Sequence, residues 1–446
     1  MPSDRLFGPS LTTPEMAEAV SDRSWLAALL EFEGALAEAE AAAGLIPVES
    51  AAAIRAACDP HRFDSERIGR EAVASSNPVI PLLRVLGEAV PDEAAGHVHL
   101  GATSQDALDT AMMLVSRRAL ELLLADLDGL AAACARLAER HRSAPMPGRT
   151  LLQHAVPISF GLKAAGWLLG VLAASGRLDE IRRTRLALQL GGAAGTLSGF
   201  GGKGLVVSAG LAASLGLAEP AMPWHSERTR VAELGAALAI AAGAAGKIAL
   251  DLSLLAQTEV AEVGEDAPGG SSAMPHKRNP VAAIEADACS RGAAAQAAVL
   301  LGSLRAEHER AAGAWQAEWP ALSEAFRLTA GAVARARSAL EGLRVDAARM
   351  RANLELGGGL VMAEAAARAL AVKLGPARSR ELVRRAAERT VAGSSLRAEL
   401  EADPEVTAAL ELKELAAAFD PDRQLGAAPE LVDRALISHG KGRRAE

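Results

Sequence analysis

The stretch VAELGAALAIAAGAAGKIALDLSLL, Val231 to Leu255, decides how this chain folds. Val231, Leu234, Leu238, Ala241, Ala245, Ile248, Leu252 and Leu255 fall at alternating spacings of three and four, the period of one helix face. The small residues at its centre, Ala241 and Ala245 with Gly243 and Gly246 beside them, allow a neighbouring backbone to approach closely. Leu120, Leu123, Leu127, Leu130, Cys134 and Leu137 repeat the pattern and predict a second long helix from about Asp106 to His141. At about 1.5 Å per residue it runs roughly 55 Å, longer than a compact domain is wide. A third is predicted from Pro157 to about Leu190, with Pro157 in its first turn.

Half of the 446 residues are apolar, yet only 3% are aromatic and tyrosine is absent. The apolar content is therefore mostly Ala, Leu and Val, which suits closely packed helices and leaves strand-forming residues thin. An all-α fold of three helical domains is expected: residues 1–105, a central long-helix bundle and oligomer core over 106–340, and a more charged C-terminal domain over 341–446. Apolar residues spill outside a single seam at Leu122, Leu124, Ile240, Leu250 and Leu254, so other subunits are expected to cover those faces.

The net charge of -8 argues against bulk attraction to nucleic acid or anionic membranes, so an anionic ligand must be held by local cations. Cys58, Cys134 and Cys289 are far apart and odd in number, which reads as buried small hydrophobes in a reducing cytoplasm. The opening MPSDRLFGPSL lacks a basic region followed by an apolar run, and the longest apolar window, Leu234 to Gly246, is shorter than the roughly 20 residues of a membrane span. Neither secretion nor membrane insertion is expected.

Two glycine-rich stretches read differently. GGAAGTLSGFGGKG, Gly191 to Gly204, holds a literal G-x-G-x-x-G but follows a helix rather than a strand, so it reads as a connecting loop and not a nucleotide site. GGSSAMPHKRNP, Gly269 to Pro280, ends in Asn279-Pro280, an N-cap followed by proline at the first helical position. A helix N-terminus there, with Lys277 and Arg278 beside it, suits a carboxylate. The strip Gly269, Gly270, Ser271 and Ser272 is small and pliable enough to close over it, and a serine in that field can move a proton at carbon. The plain reading is a solvated loop with an ordinary cap.

Two more polar clusters precede helices. HLGATSQD brings Thr103 and Ser104 to the start of the Asp106 helix, and GRTLLQHAVP brings Arg149, Thr150, Gln153 and His154 before another. Thr103-x-x-Asp106 alone reads as a capping box. Together, the three clusters are what a polycarboxylate pocket would use.

With these blocks the chain resembles the fumarase/aspartase superfamily, whose signature GSSxMPxKxNP is matched by Gly270, Ser271, Ser272, Met274, Pro275, Lys277, Asn279 and Pro280. HLGATSQDALDTAM, GRTLLQHAVP, PWHSER and EHERAAGAWQAEWPAL make it most similar to the lactonising cycloisomerase branch. The resemblance implies a homotetramer with a twenty-helix core and active sites built from three subunits. It makes Ser271 the proton-transfer residue on a mobile loop, with Lys277 and Asn279 holding a substrate carboxylate. Thr103, Ser104, Thr150 and Gln153 would line the anion pocket, with His99, Arg149 and Arg310 beside them. The implied reaction is lactonisation of a carboxymuconate in aromatic catabolism through β-ketoadipate.

One departure is informative. Most superfamily members carry histidine directly after GRT, where this chain has Leu151; its histidine comes three positions later, at His154. An intramolecular carboxylate has a low pKa and needs little protonation, so His154 reads as a pocket-lining donor, an acid or a structural residue. The nine histidines show no HExxH or other ligand spacing, so neither metal nor cofactor is expected. The rival readings are an adenylosuccinate-type or nitrosuccinate-type lyase, against which Leu151 and AGAWQAEWPAL weigh, and a catalytically silent helical tetramer, against which Ser271, Lys277 and Asn279 together weigh.

Overall fold

The computed structural model describes residues 6–271, 273–390 and 393–442; Ser272 of the signature lies outside them. Helices dominate, as alanine and leucine richness dictates. Helix α1 spans Asp22–Ala42, and the Ser21 hydroxyl caps it by accepting from Ser24 N–H. Five long helices follow: α2 Ser104–Arg140, α3 Phe160–Thr184, α4 Thr229–Leu255, α5 Val281–Gly302 and α6 Ala314–Glu341. Towards the C-terminus the helices shorten around a core that includes Leu370, Leu382, Val383, Leu396 and Leu400. The all-α expectation holds.

Every residue of the two periodic seams is buried, from Val231 to Leu255 and from Leu120 to Leu137. A Cβ at Gly246 would meet Ser290 Oγ at 2.4 Å, so α5 approaches α4 more closely there than any side chain permits. Gly243 faces open space instead.

Compactness divides the chain into two units: Met1–Asp128, Ala173–Gly246 and Glu285–Arg335 form one, and Gly129–Leu172, Lys247–Ile284 and Ala336–Glu446 the other. The boundary falls inside each of the five long helices.

Three expectations need correcting. Helix α3 starts at Phe160, not Pro157, because the preceding residues pair in an antiparallel hairpin, β1 Pro145–Thr150 with β2 Gln153–Ser159. Pro157 sits opposite Pro147, beside a register break, where neither lacks a ladder partner for an N–H it does not have. Ser159 takes the capping role, accepting from Leu162 N–H at 3.0 Å. At the far end α3 stops at Thr184, six residues short of Leu190, because Leu186 and Leu188 bond to Ala218 in a short bridge. Third, α4 is 27 residues with a mean hydropathy of 1.7 in its most apolar window, long and apolar enough to cross a membrane. Because 56% of that window is buried within the chain, its alanines and leucines serve as a protein core.

A second small hairpin pairs β3, Val263–Glu265, with β4, Leu343–Val345. Cys134 and Cys289 are buried and Cys58 is half-buried. Burial pushes their thiols up to about 12, 11 and 12 respectively, so they are inert apolar side chains.

Candidate active site

In the first unit the site residues gather at the start of α2. Asp106 bonds the Thr103 N–H at 2.9 Å, one half of a capping box. The other half is missing: the Thr103 hydroxyl instead accepts from Arg310 at 2.8 Å. Arg310 also donates to Ser104 Oγ at 3.3 Å and Gln105 Oε1 at 3.2 Å, and its guanidinium lies 5.9 Å from the Trp315 ring centre. All three acceptors are neutral. The arginine is thus oriented without being neutralised, which is what binding an anion requires. Asn77 fixes Ser104 from behind with a 2.7 Å bond.

Beneath this surface lies a buried ionic floor. Asp106 Oδ1 accepts from Gly191 N–H and pairs with His225 Nε2 at 2.6 Å, while Oδ2 accepts from Gly192 N–H. The glycine-rich stretch is therefore a loop, as expected, clamped by one carboxylate. One turn on, Asp109 takes two bonds from Arg228 and one from the Trp315 indole N–H at 3.0 Å. Glu318 is the second carboxylate on Arg228. Burial disfavours the Arg228 charge, but these two acids outweigh it and hold the guanidinium firmly cationic. Trp315 is locked by this pair and carries Arg310 above it.

His99 lies in the same unit with a left-handed backbone, φ 60°. Its Nδ1 is 2.8 Å from Glu33 of α1, and both side chains are nearly enclosed, at 12% and 1% exposure.

The second unit holds the signature loop and the hairpin. The loop is pinched at its base, where Gly269 and Asn279 exchange both backbone bonds at 2.9 and 3.0 Å. A Cβ on Gly269 would meet Val281 at 2.1 Å, so only glycine closes the pinch. Ser271 Oγ faces two backbone N–H groups, Met274 at 3.2 Å and Ala273 at 3.4 Å. Lys277 is exposed on the loop.

Helix α5 overturns part of the expected carboxylate site. Its first N–H groups do not await a ligand: Ala282 and Ala283 donate to the buried Glu265 carboxylate at 3.2 and 3.0 Å. The helix begins at Val281, and Asn279 spends its amide on Gly270 O at 3.3 Å rather than capping. The anion that this helix dipole favours is supplied by the chain itself.

On the hairpin, Arg149 is also occupied, forming two bonds to the buried Glu262 at 3.0 and 2.6 Å, with Asn353 holding the same carboxylate. Its charge is met before any substrate arrives. Thr150 and Gln153 pair across the tip and are exposed. Between them Leu151 and Leu152 take φ of 51° and 64°, the two-residue turn that favours Asn-Gly, and stand 97% and 78% exposed. Two exposed leucines therefore occupy a turn whose left-handed backbone disfavours them. Burial, then the Arg149 charge, lowers the His154 pKa below its ordinary value against a smaller opposing effect of Glu262, which favours neutral imidazole.

Reasoning from the sequence missed Gln105, Asn77 and Trp315 around Arg310, and Glu33 beside His99. A cue was available for the floor: Asp106 and Asp109 open a helix whose seam from Leu120 to Leu137 is apolar, and buried acids demand partners. A cavity of about 680 Å³ lined by Arg185, Arg230, Glu233, Leu301 and Leu304, among others, contains none of the expected site residues.

These features define a lyase-type scaffold. A family model described as Lyase matches residues 9–297, and one described as adenylosuccinate lyase C-terminus matches residues 359–435. The chain belongs to the fumarase/aspartase superfamily. It is 48% identical to a 3-carboxy-cis,cis-muconate cycloisomerase of Bradyrhizobium diazoefficiens, over 97% of this chain and 98% of that protein. It is also 48% identical to a nitrosuccinate lyase of Streptomyces davaonensis, over 97% of this chain and 94% of the other. The crystal structure of the 3-carboxy-cis,cis-muconate lactonizing enzyme from Pseudomonas putida superposes with a TM-score of 0.94 at 43% identity, covering 98% of this chain and 99% of that one.

Proposed function

We propose that this protein is a cofactor-independent cycloisomerase that converts 3-carboxy-cis,cis-muconate to 4-carboxymuconolactone. A substrate carboxylate adds across the adjacent double bond, forming the ring C–O bond. The electron pair moves into the neighbouring carboxyl as an aci-carboxylate dianion, and Ser271 delivers a proton to carbon. Lys277, Asn279, Thr103, Ser104, Thr150 and Gln153 hold the carboxylates with Arg310 and His99. Arg149, neutralised by Glu262, shapes the pocket, and His154 lines it as a donor. The enzyme works in the cytoplasm as a homotetramer with each active site drawn from three subunits, and has neither nucleic-acid nor membrane partners.

The observation that carries the reaction type is Leu151. Where the wider superfamily has an acid/base histidine, this chain presents an exposed leucine, and the remaining His154 is biased to the neutral form. Such a site suits a group that adds or leaves as a weakly basic anion. An internal carboxylate is one.

Nitrite is another, so Leu151 weighs against an adenylosuccinate-type lyase but, contrary to the expectation from sequence, not against a nitrosuccinate-type one. With a nitrosuccinate lyase 48% identical to this chain, elimination of nitrite from nitrosuccinate is the second reading. One experiment separates them. With 3-carboxymuconate, the conjugated-diene absorbance should fall at an enzyme-dependent rate, while nitrosuccinate yields no nitrite. Nitrite release without diene loss transfers the assignment to the lyase.

A further inference from the structure

We propose that Glu33 is a positioning residue for the reaction: from the buried face of α1 it holds the Nδ1 side of the His99 ring and so aims Nε2–H at a substrate carboxylate. This inference rests on His99 lining the substrate pocket and adds to that reading a residue far from it in sequence.

Three independent features meet at this pair. The backbone of His99 is left-handed, a conformation that a non-glycine residue holds only when its surroundings impose it. Its Nδ1 lies 2.8 Å from Glu33 Oε1, and a carboxylate only accepts, so the proton on that nitrogen is fixed. Its other nitrogen, Nε2, is buried and has no hydrogen-bond partner, although buried polar atoms nearly always have one. A ring carried on a left-handed backbone, tethered on one side and unpartnered on the other, is built to meet a polar group from outside the chain.

The electrostatics agree. Burial alone would discharge the imidazole, but the Glu33 charge and hydrogen bond, with Asp106 of α2 behind them, raise its pKa above the ordinary value. The charged ring then offers Nε2–H as a donor. Around Glu33 stand Glu40 on the same helix, which burial and the Glu33 charge push up to about 8, and Cys58, whose thiol is pushed up to about 12. Arg55 packs over Gly34 and pairs with Glu38. Below about pH 8 Glu40 stays protonated, and the acid that contacts His99 from α1 is Glu33.

The sign follows from linkage. Substrate binding needs protonated His99, so kcat/KM falls as pH rises through the His99 pKa. Glu33→Gln keeps the shape and removes the charge that raises this pKa. The alkaline fall should move to lower pH, with KM on its alkaline side rising up to about tenfold and kcat changing less than about threefold. Binding of tricarballylate, a saturated tricarboxylate, should weaken by the same factor on the alkaline side of the wild-type fall and little on its acid side, with gel filtration and circular dichroism confirming the assembled fold.

Superimposable pH profiles for folded Glu33→Gln and wild type would overturn the role of Glu33. His99→Gln tests the underlying reading separately: unchanged tricarballylate affinity removes His99 from the pocket, and the inference with it. If Glu33→Gln does not fold, Glu33→Asp carries the test, because it withdraws the carboxylate from Nδ1; a folded Glu33→Asp enzyme with wild-type KM at every pH refutes the proposal.

Discussion

Ser271 Oγ sits at the end of two backbone N–H vectors, from Ala273 and Met274. Donors aimed at an oxygen favour its charged form, so the loop lowers the cost of a serine alkoxide without needing a neighbouring base. Ser271→Ala should reduce kcat by roughly 10³-fold with little change in thermal midpoint, read from the diene absorbance; turnover within a few-fold of wild type takes the serine out of proton transfer. Glu40 makes a prediction about stability. Its folded pKa of about 8 exceeds the ordinary 4.5, so its stabilising contribution is full below about 4.5 and drains away as pH rises to about 8. Glu40→Gln, neutral throughout, escapes that loss. Its thermal midpoint should match wild type near about pH 5 and exceed it by a few degrees near about pH 8.5, by scanning fluorimetry at both values.

The first turn of α2 is the element on which the first-unit cluster depends. Asp106 binds the N–H groups of Thr103, Gly191 and Gly192 together with the His225 ring, so one carboxylate fixes a helix start and a glycine loop. Removing it leaves buried donors unpaired. Asp106→Ala should cost about 3 kcal/mol or more of stability, measured by urea unfolding, and should reduce activity because Thr103 and Arg310 lose their frame. A loss under about 1 kcal/mol would show that the turn is held by other contacts. Helix α5 teaches the complementary lesson. Its dipole is satisfied by Glu265, so the proposed carboxylate site rests on the loop cation Lys277 and not on the helix end.

Across the molecule, the two long seams are buried while Ile240, Leu250 and Leu254 of α4 and Ile284 and Val299 of α5 remain exposed. Leu250 and Leu254, a turn apart, are 44% and 36% exposed, an apolar row of the kind that a subunit contact would cover. For the homotetramer proposed above, whose sites would draw on three subunits, Leu250→Arg with Leu254→Arg should shift sedimentation from tetramer to smaller species and abolish turnover. An active tetramer carrying both arginines would place the interface elsewhere.

The sequence by itself determined the helical class, the seams of α2 and α4 and the identity of the loop that bears Ser271, because helical periodicity and a dense local motif are written in consecutive residues. Thr103 and Ser104 at the head of α2 were legible for the same reason. The partners were not. That Arg149 answers to Glu262, Arg310 to Thr103, Asp109 to Arg228 and His99 to Glu33 depends on contacts between residues 66 to 207 positions apart, and no local pattern encodes which buried acid meets which base. The start of α3 was misplaced because Pro157 suits a helix's first turn and a hairpin equally well; the tertiary pairing with Pro147 chose between them. Charge is therefore assigned by sequence, but whether it is free for a ligand or already neutralised is decided only when the chain has folded.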